Sequence, residues 1–137
     1  GDQMHKAANL SKRNTKIIGV SILTSLNSQQ TEKYYFNNDV ENIVSDYTNL
    51  ALKNNLDGIV CSPLEVKKVK EIAGNKLITI IPGIRPKEYE NKNDDQKRFV
   101  TPREAINLGA DYLVIGRPIT ESSDPLKSIK NINESLI

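Results

Sequence analysis

Four short runs of Ile, Val and Leu divide this sequence: Lys16–Leu23, Asp57–Cys61, Lys76–Ile81 and Asp111–Ile115. Each is nearly continuous in hydrophobicity, where a half-solvated strand would alternate, and this suits parallel strands covered on both faces by helices. The intervening segments have helical period. Val40, Ile43, Val44, Tyr47 and Ala51 fall on one face of a helix that should end near Asn54. Ser62, Pro63 and Glu65 supply an N-cap, a proline at the first helical position and the acid of a capping box; Val66, Val69 and Ile72 then share a face, and Gly74 is a stop. Thr101, Pro102 and Glu104 repeat the start signal, with Gly109 as a left-handed cap, and Asp124-Pro125 opens a last helix through Leu126, Ile129 and Ile132. Met4, Ala7, Ala8 and Leu10 indicate a helix before the first strand. Alternation of this kind predicts a parallel α/β layout, doubly wound or barrel. No G-x-G-x-x-G follows a strand, and no repeat or low-complexity linker is evident.

Length narrows the choice, because 137 residues make one ordinary domain. The hydrophobic fraction of 37%, against about 45–50% in soluble domains on a count that includes Gly, implies a thin core. A net charge of +2 from 19 basic and 17 acidic residues gives no sustained basic field, so no nucleic-acid partner is expected. The single cysteine, Cys61, excludes an intrachain disulfide and a multi-cysteine zinc site. Cys61 ends an apolar strand without a neighbouring cation, which reads as a packing thiol and not a nucleophile. His5, the only histidine, reads as a solvated helix residue. With no signal-peptide pattern and no apolar run near the ~20 residues needed to span a bilayer, a soluble cytoplasmic protein with no membrane partner is expected.

Unusual polar residues collect at the strand ends: Leu23-Thr24-Ser25, Pro82-Gly83-Ile84-Arg85-Pro86, Asp95-Gln96-Lys97-Arg98 with Thr101-Pro102, and Ile115-Gly116-Arg117-Pro118-Ile119. Taken singly, each has a bland meaning. Thr24 is an N-cap or turn residue as readily as a ligand donor. Arg85 between two prolines is a rigid turn, residues 88–98 are a solvated charged loop, and Gly116-Arg117-Pro118 is a strand end with a surface arginine. Two arginines after consecutive strands of a parallel sheet carry more weight, because the last two loops of barrels commonly bind phosphate.

In their order, and with the wider strings Asp57-Gly58-Ile59-Val60-Cys61-Ser62 and Gly109 to Thr120, these segments resemble bacterial-type orotidine 5'-phosphate decarboxylase from its fifth barrel strand to its C-terminus. The resemblance implies that residues 1–137 are one C-terminal half-barrel: four parallel strands with flanking helices, half of a (β/α)₈ TIM barrel. It implies that the Arg117 guanidinium and the Gly116 and Arg117 amides grip the 5'-phosphate, and that Arg85 reaches the same phosphate. Gln96 would touch phosphate and pyrimidine on loop closure, although Asp94 stands where the family usually has glycine. Thr24, and with it Ser25, would recognise the pyrimidine ring. No cofactor and no metal are implied.

The family's Asp-x-Lys-x-x-Asp catalytic motif does not occur in this sequence; Asp95-Gln96-Lys97-Arg98-Phe99-Val100 has its first half, ends in valine, and belongs to the lid. No catalytic residue is therefore assigned. The expectation is a truncated or split decarboxylase of de novo pyrimidine biosynthesis that binds a nucleotide monophosphate and does not decarboxylate alone. The alternative is a non-catalytic, degenerate half-barrel. Four of the eight units leave two sheet edges and an apolar inner face open, so a second copy or a separate N-terminal half is the expected partner.

Overall fold

The computed structural model describes residues 1–26, 28–35, 39–87, 89 and 99–137. Helix α1 (Asp2–Ser11) leads to strand β1 (Ile18–Val20), then α2 (Ser28–Tyr35) and α3 (Val40–Lys53). Strand β2 (Gly58–Val60) is followed by a 3₁₀ turn (Pro63–Glu65) and α4 (Val66–Ala73), and β3 (Ile78–Ile81) by α5 (Pro102–Asn107). The chain closes with β4 (Tyr112–Leu113), α6 (Arg117–Thr120) and α7 (Pro125–Ser135). The four strands form one parallel sheet in the order β1-β2-β3-β4. Consecutive strands are neighbours, as in a barrel wall, and the doubly wound alternative, in which the order reverses, is excluded.

Side-chain caps open α3, α5 and α7. The Asp39 carboxylate accepts from the Asn42 amide and opens α3, which buries Ile43, Val44, Thr48 and Ala51. Thr101 and Glu104 complete a reciprocal capping box at α5, with the Thr101 amide donating to Glu104 Oε2 at 2.8 Å. Ser62 behaves differently from its twin. Its hydroxyl accepts from the Leu64 amide at 3.3 Å and the chain takes a single 3₁₀ turn, so the α-helix begins only at Val66. Gly109 has φ +101, a backbone conformation that other residues rarely adopt, and ends α5 as a left-handed cap. Two helices carry no apolar periodic signal in the sequence: α2, which is mostly polar, and the four-residue α6.

Strand register explains where the core sits. Gly19, Ile59 and Thr79 align across the sheet, as do Ile81 and Leu113, and they face the helices; Ile59, Thr79 and Ile81 are fully buried there with Val44, Val66, Val69 and Leu77. The alternate row, Val20–Val60–Ile80–Tyr112, lies on the opposite face. Val20 and Tyr112, at the two edges of that row, are 56% and 60% exposed. Among the described residues nothing covers this face, although the continuous apolar runs read as strands covered on both sides. The inner wall of a barrel is present and open.

Two aspartates tie the strands together at their N-terminal ends. Asp57, just before β2, accepts the Ile17 amide at 2.7 Å and the Lys12 ammonium at 2.8 Å on one carboxylate oxygen. Asp111, just before β4, accepts the Thr79 amide at 2.7 Å, the Thr79 hydroxyl at 2.9 Å and the Lys70 ammonium at 2.7 Å. In both cases the acid of one strand fixes the start of the preceding strand and a lysine from that strand's own helical lead-in. The four-stranded unit is thus two βαβ pairs built alike, a likeness not evident in the residue order alone.

Candidate functional site

Because all four strands are parallel, their C-terminal ends share one edge of the sheet, and the polar segments follow those ends. After β1 the chain makes a turn closed by the Leu26 amide donating to the Leu23 carbonyl at 3.1 Å, with Thr24 and Ser25 as its central residues. Thr24 is buried and Ser25 half-buried. The turn role open to Thr24 in the sequence is therefore realised, and it places the side chain at the strand-end edge.

After β3, Gly83 has φ +75, which bends the chain out of the sheet between Pro82 and Ile84. Arg85 comes next and is 7% exposed. Its amide donates to the Val100 carbonyl at 3.0 Å, beside the parallel bridge between Ile84 and Val100, and its Nη1 donates to the Ile84 carbonyl at 2.9 Å. The guanidinium also lies over the Tyr89 ring, with its carbon 5.6 Å from the ring centre. This arginine is a built-in part of the loop.

After β4, Gly116 caps α6 and Arg117 is its first residue. The Ile119 and Thr120 amides both donate to the Gly116 carbonyl, at 2.8 and 3.1 Å. A Cβ at Gly116 would meet no protein atom within 4 Å, so packing within the described residues does not require glycine here. Arg117 is half-buried. Gln96 lies outside the described residues.

β3 and β4 are adjacent, so the loops carrying Arg85 and Arg117 are neighbours, while the Thr24-Ser25 turn lies at the far edge of the sheet. Three inter-strand spacings of ~4.8 Å put roughly 14 Å of sheet between the ends of β1 and β4. Pro86 and Pro118, each next to one of the arginines, line one cavity of about 690 Å³ together with Tyr89, Arg103, Glu121 and Lys127. None of Thr24, Ser25, Arg85, Gly116 and Arg117 is among the residues that line it. The cavity therefore lies beside the arginine loops and is not lined by the predicted site residues themselves.

Other groups with chemical potential are accounted for by packing. Cys61 is fully buried, and burial, aided by the nearby Glu65 charge, pushes its thiol up to about 12, so it is inert at neutral pH, as a packing thiol should be. His5 departs from expectation. It is half-buried in α1, and its Nδ1 is buried without a hydrogen-bond partner among the described residues, which a solvated helix residue would not show. No group of three or more His, Cys, Asp or Glu side chains that could hold a metal occurs among the described residues, and none of their helices is long and apolar enough to cross a membrane. Residues missed in the sequence are Tyr89 and Glu121, which join the two arginine loops. Tyr89 stands within a charged run and has no spacing relation to Glu121, so only the fold brings them together.

The wall of four parallel strands with flanking helices agrees with comparison to known proteins. The family model described as orotidine 5'-phosphate decarboxylase / HUMPS family matches residues 2–132. An orotidine 5'-phosphate decarboxylase of Staphylococcus saprophyticus is 44% identical over 140 residues, taking in 98% of this chain and 60% of that protein. One of Nitrosomonas eutropha is 42% identical over 139 residues, with 100% and 59% covered. The crystal structure of the Lactobacillus acidophilus orotidine 5'-phosphate decarboxylase superposes with a TM-score of 0.77 at 30% identity, covering 99% of this chain and 59% of that one. The chain thus spans about 60% of the length of these relatives, and its four strands with flanking helices are half of their (β/α)₈ wall. A match running from the first helix to the last shows that the chain belongs to the orotidine 5'-phosphate decarboxylase / HUMPS family.

Proposed function

We propose that residues 1–137 are the C-terminal half-barrel of an orotidine 5'-phosphate decarboxylase, corresponding to strands five to eight of the family barrel. This half binds the phosphate and the pyrimidine of orotidine or uridine monophosphate in pyrimidine biosynthesis. Arg117, Arg85 and the Gly116 amide hold the phosphate, Thr24 and Ser25 hold the base, and Gln96 joins from the loop. The observation that carries this reading is the distribution of polar segments along one edge of the sheet. Two arginines follow the adjacent strands β3 and β4, and a hydroxyl pair follows β1. A nucleotide laid across the strand ends meets cations at one end and donor-acceptor hydroxyls at the other. The open space above Gly116 supports the same reading, since an anion approaching that amide needs the room a side chain would occupy.

Decarboxylation needs a cation placed to protonate the developing carbanion. The family supplies it through Asp-x-Lys-x-x-Asp, which this sequence does not contain. Turnover therefore depends on that segment being supplied by further chain, joined or separate. The exposed Val20 and Tyr112 favour a second reading, a non-catalytic half-barrel that associates through its inner face.

Titration calorimetry with uridine monophosphate tests the binding half of the proposal. A hydrogen bond to a charged group is worth roughly 1.5–3 kcal/mol, so Arg117→Ala should weaken binding roughly ten- to a hundredfold. An assay of orotidine 5'-phosphate should show no decarboxylation by the 137 residues above the uncatalysed background, and activity on addition of a polypeptide carrying the missing motif. Absence of nucleotide binding at millimolar ligand, or an Arg117→Ala protein that binds as well as the parent, would leave the non-catalytic reading in its place.

A further inference from the structure

We infer that Tyr89 is a positioning residue that holds the two proposed phosphate-binding arginines as one unit, an inference that rests on the phosphate-site reading above. Four contacts carry it. The Tyr89 amide donates to the Pro86 carbonyl at 3.0 Å, so the residue sits in a turn directly after Arg85-Pro86. Its ring lies under the Arg85 guanidinium, whose carbon is 5.6 Å from the ring centre. Its hydroxyl donates to Glu121 Oε2 at 3.1 Å. The Glu121 amide, in turn, donates to the Arg117 carbonyl at 2.9 Å across the single turn of α6. The path from one arginine to the other therefore runs through one aromatic side chain and one carboxylate.

The chemistry suits the task. An aromatic face attracts a guanidinium and restricts its plane without supplying an anion that would compete with phosphate. The Glu121 carboxylate accepts from the phenol of the same ring that faces the guanidinium. The phenol also fixes the ring's position, because the turn at Tyr89 does not by itself set the side-chain rotamer. Tyr89 and Glu121 both line the cavity of about 690 Å³ beside the arginine loops, which Arg85 and Arg117 do not line.

The test uses uridine monophosphate as probe with the 137-residue chain and its Tyr89→Leu, Tyr89→Phe and Glu121→Ala variants. A cation–π contact at a partly exposed site is worth about 0.5–1 kcal/mol, so Tyr89→Leu should weaken binding about two- to fivefold. Tyr89→Phe keeps the ring and loses the link to Glu121, so its loss should be smaller and should match that of Glu121→Ala. The double variant Tyr89→Phe/Glu121→Ala should be no weaker than either single change. Side-chain NMR of the ligand-free chain supplies a readout that general loosening would not reproduce: the Arg85 Nε–H resonance carries the ring-current shift of Tyr89, which Tyr89→Leu should abolish and Tyr89→Phe retain. An Arg85 resonance unmoved by Tyr89→Leu overturns the inference. Undiminished affinity in Tyr89→Leu, while Arg85→Ala and Arg117→Ala both bind weakly, also overturns it and leaves the phosphate-site reading standing. If the parent chain binds neither uridine monophosphate nor inorganic phosphate, the phosphate-site reading fails and the positioning role of Tyr89 fails with it.

Discussion

Gly58 shows how closely the barrel wall is fitted. A Cβ built there would lie 2.5 Å from the Ile78 carbonyl oxygen and 2.8 Å from Ile18 Cδ1, in contact with both neighbouring strands at once. The isoleucine tip can turn away, but the carbonyl belongs to the paired backbone of β3. Overpacking of this kind usually costs about 1–3 kcal/mol. Gly58→Ala should therefore lower the urea midpoint by that equivalent, with an unchanged slope if the fold is kept; a midpoint equal to that of the parent would show that the sheet yields at this point. Legibility at this scale follows how local the cause is. Cys61 reads correctly from sequence because an apolar neighbourhood and the lack of a nearby cation are visible along the chain. The half-burial of His5 is a property of the fold that no feature of Met4 to Leu10 announces. Arg85 is intermediate: the two prolines signal a fixed loop, but its burial depends on Val100, fifteen positions away, and on Tyr89.

Among the elements, the clearest in sequence are those with an apolar stripe or a cap, and α3 and α5 form where Val40 to Ala51 and Thr101 with Glu104 place them, while the Asp39 cap of α3 is seen only in the structure. α2 and α6 are not legible for opposite reasons. Ser28–Tyr35 has too few apolar positions to define a face, and Arg117–Thr120 is one turn that exists because the chain must leave β4 and reach α7. The strands are shorter than the apolar runs that announce them, since only the residues that find a parallel partner join the ladder: Lys16–Leu23 contributes only Ile18–Val20. The aspartate ties stayed hidden because their partners lie 40 and 32 positions away. They nonetheless make a testable contribution. The Lys12 ammonium, then the Ile17 amide, hold the Asp57 carboxyl below the ordinary aspartate value. Burial raises that of Asp111, but Lys70 and Thr79 outweigh it, and the net shift is again downward. A folded-state value below the unfolded one means that stability from these groups is present above the ordinary pKa of ~3.9 and is lost as pH falls through the lowered folded value. The urea midpoint should accordingly fall as the pH drops through and below the ordinary aspartate value of ~3.9, and the fall should be shallower in Asp57→Asn. At neutral pH the same substitution should cost about 1–2 kcal/mol, a figure reduced for the partial exposure of the lysine pair. A pH profile identical in the two proteins would mean that other carboxylates govern acid unfolding.

At the scale of the molecule, the sequence discloses the half-barrel through four strand runs and their strand-end segments, yet it does not show which face is left open. That follows from register. Val20, Val60, Ile80 and Tyr112 form one row across all four strands, and exposure is greatest at its two ends, where the edge strands have no neighbour on the outer side among the described residues. Leu23 and Val114, also exposed, extend the apolar surface toward the strand-end edge. A contiguous apolar face flanked by two unpaired parallel edges is an association surface, since a covering layer gains both burial and backbone pairing. The relatives, about 60% of whose length this chain spans, have further chain available to provide that layer. A second copy offers the same chemistry, because two four-stranded walls supply the eight strands of a closed barrel. The 137 residues on their own should therefore be dimeric or larger by light scattering at micromolar concentration. Val20→Lys and Tyr112→Lys, which place charges in the row without touching the helix-packed side, should shift the population toward monomer and reduce retention of a hydrophobic dye. A compact monomer that binds no dye, with the two lysine variants indistinguishable from it, would mean that this row is tolerated in water and that closure of the wall is not what drives assembly.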